Sequence, residues 1–173
     1  MFFSEFTCNR CQAEVRYSIR SWSYRLADDI ECTLHASRVW CNDCNTLRSA
    51  EYFPTMDYLK AKIERLRGGQ LPEWEVEYLS QRGMSKKDLD EFAADLLKEA
   101  TVYLGLIEAR QSPPRCLECA STNFVRIPER PDVVDDYFEH PGCGGTFHQT
   151  QQGRGRQSEY PTYDAEGNRL NDY

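Results

Sequence analysis

The sequence has no apolar run that approaches the roughly 18 residues of a membrane-spanning helix. It also has no His-Glu-x-x-His pattern, phosphate-binding glycine loop or Gly-x-Ser-x-Gly turn, so the signatures of several large enzyme classes are missing. The first residues contain no basic region followed by a long apolar stretch, unlike a secretory signal. From these absences we expect a cytoplasmic protein.

Positive charge is also scarce, because 21 lysines and arginines stand against 28 aspartates and glutamates, giving a formal net charge of −7. Thiolates bound to metal would make the chain more acidic still. A protein that holds nucleic acid by its phosphates needs the opposite sign. The charge therefore favours a basic protein partner over nucleic acid.

Cysteine, by contrast, is abundant and regularly spaced. Six of the eight cysteines form three Cys-x-x-Cys pairs, namely Cys8/Cys11, Cys41/Cys44 and Cys116/Cys119. In a cytosolic chain such pairs are more often metal-binding or catalytic than disulfide-bonded. The two-residue spacing lets both thiolates of a tight turn face one cation, so we predict metal sites.

The first predicted site combines the two N-terminal pairs, Cys8, Cys11, Cys41 and Cys44. Four thiolates on two turns suit the tetrahedral coordination of structural zinc. Between the pairs, residues 15–20 and 30–36 alternate apolar and polar side chains, with a turn at 27–29. This pattern predicts a β-hairpin that brings the two pairs together.

The second predicted site combines Cys116, Cys119 and Cys143 with one histidine. We favour His140 as the fourth ligand, because it precedes Cys143 by the same spacing as the Cys-x-x-Cys pairs. His148, on the strand that follows, is the alternative. Cys32 remains outside both sites, and the apolar face of its strand predicts a buried free thiol.

These two segments, 7–46 and 115–149, resemble zinc-ribbon and rubredoxin-like modules. The resemblance rests on the Cys-x-x-Cys spacing and on the stretch His-Pro-Gly-Cys-Gly-Gly at 140–145, which is similar to the second knuckle of zinc ribbons. It implies two small metal-clasped β modules, with zinc as the expected metal and iron as the less favoured alternative.

The middle of the chain is predicted to be helical. Thr55 is a suitable N-cap for a helix that Gly68-Gly69 would end, and Ser85 caps a longer apolar helix. The intervening segment, 71–82, alternates as a strand would, but Pro72 near its start favours a short helix.

We therefore expect an α+β fold in which two zinc-ribbon-like modules flank a helical segment. The predicted boundaries are 1–54 for the first module, 55–111 for the helical segment, 112–149 for the second module and 150–173 for a polar, flexible tail. Within that tail, residues 163–170 can form a hairpin around Glu-Gly-Asn.

For function, the sequence favours a non-enzymatic zinc-binding protein that acts through protein–protein contacts. Both predicted metals are saturated by protein ligands, whereas catalytic zinc keeps an open position. The hairpin near the C-terminus resembles one tyrosine–aspartate repeat of polymorphic-toxin shells. We therefore expect an adaptor, or an inhibitor or immunity-type protein that covers a basic partner surface.

The alternative is a zinc-ribbon protein of transcription or nucleic-acid processing. A basic cluster on the first predicted helix and stacking side chains on the first predicted hairpin support it. The residues concerned are Lys60, Lys62, Arg65 and Arg67 on the helix, and Arg16, Arg20, Trp22 and Tyr24 on the hairpin.

Overall fold

The computed structural model describes residues 2–26, 30–128, 137–155 and 161–170. Within these ranges the chain forms eleven strands in three sheets and three helices, which confirms the α+β class. None of these helices is both long and apolar enough to cross a membrane. The chain divides into a first unit, Met1–Tyr52 with Ser112–Tyr173, and a second unit, Phe53–Gln111.

All the strands belong to the first unit, so the two predicted terminal modules share one body. The strands are β1 Phe2–Cys8, β2 Glu14–Ile19, β3 Ser23–Arg25, β4 Glu31–Thr33, β5 Ala36–Cys41, β6 Thr46–Glu51, β7 Phe124–Arg126, β8 Tyr137–Glu139, β9 Thr146–Arg154, β10 Thr162–Tyr163 and β11 Arg169–Leu170.

The first sheet has the order β2-β1-β9-β8, and its strands are antiparallel. β1 pairs with β9 along its whole length, so the N-terminal strand lies against a strand from the far end of the sequence. The second sheet, β6-β5-β7, again joins both halves of the sequence, because β5 pairs with β6 and with β7. The two predicted modules are therefore interwoven through shared sheets.

The first predicted hairpin is wrong in its pairing. Residues 14–19 do form a strand, but β2 pairs with β1 and not with the segment at 30–36. That segment is itself divided into β4 and β5, and it turns where the backbone N–H of Leu34 donates to Trp22. The physical reason is that the Cys8–Cys11 turn already closes a hairpin between β1 and β2, with the Cys8 N–H donating to the carbonyl of Ala13.

The third sheet has the order β11-β10-β3-β4. The predicted C-terminal hairpin is confirmed, since β10 and β11 are antiparallel and Tyr163 lies opposite Arg169. β10 also lies parallel to β3, which ties this hairpin to the N-terminal half of the sequence. The described part of the predicted tail is thus strand up to Arg154 and hairpin beyond 161.

One apolar core connects the first two sheets. Phe6 and Phe147 are fully buried, and the Phe138 ring lies 5.3 Å from Phe6 and 5.0 Å from Phe147. Trp40 and Leu47, from β5 and β6, belong to the same cluster. Burial of such aromatic side chains is the main favourable term that holds the sheets together.

The second unit contains the helices α1 Met56–Arg67, α2 Glu73–Gln81 and α3 Lys86–Ala109, as predicted. Thr55 caps α1 through its side-chain oxygen, and Ser85 forms a reciprocal capping box with Asp88 at the start of α3. α1 packs against α3 and buries Leu59, Ile63 and Leu66, whereas no residue of α2 is buried.

Candidate metal centres

Eight side chains gather into two groups, each able to hold a metal ion. In both groups, the potential ligand atoms lie within 4.8 Å of one another. We call the group Cys8, Cys11, His140 and Cys143 the outer site, because its members come from the two ends of the cysteine pattern. The group Cys41, Cys44, Cys116 and Cys119 is the inner site.

All eight predicted ligands are present in these groups, but their predicted pairing is wrong. Each pair of ligands lies on one tight turn, which we call a knuckle; the four knuckles, in chain order, are 8–11, 41–44, 116–119 and 140–143. Cys8 and Cys11 face His140 and Cys143, not Cys41 and Cys44. The reason is sheet topology, because β1 and β9 run side by side and carry the first and last knuckles together. In the same way, β5 and β7 bring the second and third knuckles together.

The outer site has the spacing of a tetrahedral metal centre. The Cys143 sulfur lies 3.6 Å from the sulfurs of Cys8 and Cys11, and His140 Nδ1 lies 3.4 Å from Cys11 Sγ. With metal–sulfur bonds of about 2.3 Å, the sulfurs of a tetrahedral site are about 3.8 Å apart. The measured separations are close to this value, and the imidazole presents Nδ1 to the same point.

Backbone contacts fix the two knuckles of the outer site against each other. The Asn9 N–H donates to the carbonyl of Thr146, and the Thr146 N–H donates back to Asn9 Oδ1, both at 2.9 Å. Arg10 reaches across to the carbonyl of Cys143. Gly145 allows this approach, since a β-carbon there would lie 2.7 Å from Cys8 Sγ.

The inner site is clamped by amide side chains. The Asn42 side chain donates to Asn123 Oδ1, and the Asn123 side chain donates to Asp43 Oδ1 at 3.0 Å. The Cys41 and Cys119 sulfurs are 3.6 Å apart. Hydrogen bonds from Ser121 and Asn123 lower the pKa of Asp43, so its carboxylate stays charged beside the knuckle.

The four knuckles share one backbone feature. The residue after the second ligand of each knuckle has a positive φ, with values of 49° to 65° at the positions Gln12, Asn45, Ala120 and Gly144. In three of them this residue's N–H donates to the first ligand's carbonyl, at 2.9 to 3.0 Å. Asparagine and glycine tolerate this conformation, whereas glutamine and alanine seldom adopt it, so the sequence pattern indicates it at Asn45 and Gly144 but not at Gln12 and Ala120.

Burial and hydrogen bonds shift the pKa values of several thiols in these groups. Burial opposes ionisation of Cys8, but hydrogen bonds from the N–H groups of Cys11 and Arg10 lower its pKa to about 6. Burial and neighbouring thiols raise the pKa of Cys44 to about 11, and burial also raises that of Cys116. A bound cation would remove this conflict, because metal ligands are deprotonated thiolates.

Among the described histidines, His140 joins a ligand group and His148 does not. The His140 ring is buried between Trp40 and Phe147, with ring centroids 5.0 Å and 4.6 Å away. His148 is exposed and stacks on Tyr137. Cys32 is buried and belongs to neither group, as its place in the pattern predicted.

One buried carboxylate was missed in the sequence. Glu51 is completely buried at the end of β6, where it accepts hydrogen bonds from Tyr24 Oη at 2.7 Å and from the Arg115 N–H at 2.8 Å. These bonds connect the second sheet to the third sheet and to the chain that enters the third knuckle. No local pattern marks Glu51, because its partners are distant in sequence.

No protein-family model, curated protein or solved structure matches this chain. The similarity to zinc ribbons therefore rests only on the spacing and sequence of the ligand turns.

Both groups fit a bound metal by their donor sets. Six of the eight ligands face their partners from hydrogen-bonded turns at 8–11, 116–119 and 140–143. Three thiols with an imidazole, or four thiols, fill a tetrahedral coordination shell and leave no position for substrate. The arrangement therefore suits a structural metal.

Proposed function

We propose that this chain is a non-enzymatic zinc-binding protein that acts by binding another protein, and that its partner surface is basic. The observation that carries the proposal is the pair of ligand groups, each with four protein donors and no open position. Zinc is preferred over iron because it suits both thiolate and mixed thiolate–imidazole sets as a structural ion. The formal charge of −7 would steer a positively charged partner towards the chain.

The second candidate function, nucleic-acid binding, loses part of its support in the fold. Tyr24 is fully buried and Trp22 is nearly so, which leaves neither ring free to stack on a base. The Arg16 guanidinium carbon lies 3.9 Å from the centre of the Phe3 ring, and Arg16 Nη1 lies 3.7 Å from Glu5 Oε1. Arg16 is therefore already engaged with side chains of the neighbouring strand β1.

The observation that still favours nucleic acid is the basic cluster on α1. Lys60, Arg65 and Arg67 are exposed, although Arg67 is also paired with Glu64 at 2.7 Å. For a basic protein partner, the acidic residues Asp132, Asp135, Asp136 and Glu139 are the contact surface that the sequence favours, and the first three lie outside the described residues. Glu139 is exposed at the end of β8.

Two measurements test this proposal. Elemental analysis of protein purified without added metal should find about two zinc ions per chain. Iron in their place, seen as a ferric–thiolate absorption, would refute the choice of metal.

The second measurement is binding to single- and double-stranded nucleic acid at two salt concentrations. We expect no binding tighter than about micromolar near physiological salt, because the overall charge repels phosphates. Tighter binding that disappears when Lys60, Lys62, Arg65 and Arg67 are all changed to glutamine would refute the protein-binding function in favour of the alternative.

A further inference from the structure

Helix α2 carries the most exposed aromatic side chain of the helical unit's described surface, Trp74, and a second exposed ring, Tyr78. Trp74 is 68% exposed and Tyr78 is 48% exposed, and the helix buries none of its own residues. A tryptophan left in water forgoes the favourable transfer free energy of a large apolar surface. Such a residue at a well-formed helix is more typical of a binding contact than of packing.

The two rings lie on one face of α2, since residues four apart in a helix are neighbours. Glu73 and Glu77 flank them and are also exposed. Glu77 accepts only a long hydrogen bond, 3.4 Å, from Gln81 Nε2. In the part of the chain that the structure describes, neither carboxylate forms an ion pair. We call Glu73, Trp74, Glu77 and Tyr78 the α2 face.

The chemistry of a suitable ligand is indicated by the chain itself. The guanidinium carbon of Arg82 lies 4.4 Å from the centre of the Tyr78 ring, a cation–π contact. Trp74 is the better ring for such a contact, and it is more exposed. An arginine of the partner that lies over Trp74 would also reach the carboxylates of Glu73 and Glu77.

We propose that the α2 face binds arginine side chains in an exposed segment of a basic protein. This inference rests on the proposed function and assigns the partner contact to the helical unit, not to the residues around the metal centres. It names arginine in preference to lysine, because a planar guanidinium stacks on a ring while it donates to carboxylates.

The test uses the full-length metal-loaded protein and a short synthetic peptide of alternating arginine and serine. Trp22 and Trp40 are buried, so quenching by acrylamide reports mainly on Trp74. We expect the arginine peptide to shift the Trp74 emission and protect it from acrylamide. A matched peptide of lysine and serine should bind several-fold more weakly, about threefold or more.

Variants then distinguish a specific contact at the α2 face from long-range attraction to an acidic protein. The affinity for the peptide is measured by calorimetry. Trp74→Ala should weaken the arginine peptide about threefold to fivefold, which is the effect of one exposed cation–π contact. The matched control is Tyr58→Ala, because Tyr58 is 57% exposed on the basic helix α1. This control should bind the peptide as the wild type does.

A double charge reversal, Glu73→Lys with Glu77→Lys, should abolish measurable binding of the peptide. The control reverses the same charge at two exposed positions of α3, Asp95→Lys with Glu108→Lys, and should change binding by about twofold at most. Equal losses in both pairs, or full binding in Trp74→Ala, would overturn the inference and leave only long-range attraction.

The two proposals can fail separately. If the wild type does not protect Trp74 but also does not bind nucleic acid, the α2 inference is refuted and the protein-binding function stands. If nucleic acid binds tightly through the α1 cluster, the proposed function is refuted, whatever the peptide does.

Discussion

The crossed pairing of the knuckles can be tested by counting metal ions in double variants. Cys11 and Cys143 belong to the outer site and Cys44 to the inner site, and none of the three is fully buried. Changing Cys11 and Cys143 together to serine should remove one metal ion, because both changes affect one site. Changing Cys11 and Cys44 should remove both metal ions. The pairing of consecutive knuckles makes the opposite prediction for each variant.

The structure also predicts that the two sites stabilise each other. The outer site joins residues that are 129 positions apart, and the inner site joins residues that are 78 apart within the same loop. Treated as cross-links, these closures remove about 5 and about 4.5 kcal/mol of unfolded-chain entropy. When the inner site is closed, the outer loop shortens to about 50 residues, which lowers its closure cost by about 0.8 kcal/mol.

Because metal binding and folding are coupled in such sites, loss of the inner metal should therefore weaken the outer site about fourfold through the loop-closure term of the unfolded chain. By thermodynamic reciprocity, loss of the outer metal should weaken the inner site equally. Two hairpin sites formed from consecutive knuckles would close separate loops and show no such coupling.

The assay is elemental analysis of the folded fraction after gel filtration, with chelator competition for the remaining metal. Losing a whole site costs a large part of the ~5–15 kcal/mol that stabilises a typical domain. Variants that do not fold can instead be refolded with cobalt(II), whose thiolate spectra distinguish three-sulfur from four-sulfur coordination. The crossed pairing is refuted if Cys11→Ser/Cys44→Ser retains one metal ion while Cys11→Ser/Cys143→Ser retains none.

Two further predictions concern residues close to these sites. Gly145→Ala places a methyl group 2.7 Å from Cys8 Sγ, so outer-site affinity should fall at least about tenfold in chelator competition, whereas Gly105→Ala, with no atom within 4 Å, should add roughly 1 kcal/mol of helix stability. An unchanged outer site in Gly145→Ala would contradict this packing. Glu51→Ala should destabilise the chain by about 3 kcal/mol in urea titration, since it removes the carboxylate that accepts from the buried Tyr24 hydroxyl and the half-buried Arg115 N–H, and Tyr24→Phe should cost about 1 kcal/mol. Equal costs for the two would argue against Glu51 as the shared acceptor.

Local patterns were sufficient for the helices and for the identity of the eight clustered residues. Thr55 and Ser85 predicted the starts of α1 and α3, because capping depends on side chains within one turn. The two-residue spacing identified each knuckle for the same reason. The helix at 73–81 was identified by Pro72, in spite of its alternating pattern.

The pairing of knuckles could not be predicted in this way, because it depends on contacts between distant strands. Each Cys-x-x-Cys turn is compatible with any other turn, and the alternating segments between the first two pairs favour a hairpin that would join them. In the structure, the apolar face of β1, with Phe6, packs with Phe138 and Phe147 from the other end of the sequence. Burial of these rings determines which strands are adjacent. The knuckles at the ends of adjacent strands are brought together as a result.

The first strand itself was missed for a related reason. Phe2, Phe3 and Phe6 do not alternate regularly, so residues 2–8 carry no clear strand pattern. β1 nevertheless occupies a central position, with β2 on one side and β9 on the other. A β-bulge opposite Glu5 and Phe6 shifts its register against β9, and such an irregularity is not visible in a periodic pattern.

The positive φ angles explain how knuckles without glycine can still form. A left-handed residue at Gln12 and at Ala120 costs of order 1–3 kcal/mol each, and the surrounding structure must overcome that cost. In both turns the strained residue's N–H donates to the first cysteine's carbonyl, and both sulfurs of each turn belong to one ligand group. A metal ion bound by those sulfurs would hold the turn closed and offset the strain. The strain at Gln12 and Ala120 therefore supports, independently of the ligand distances, the ability of these turns to hold a cation.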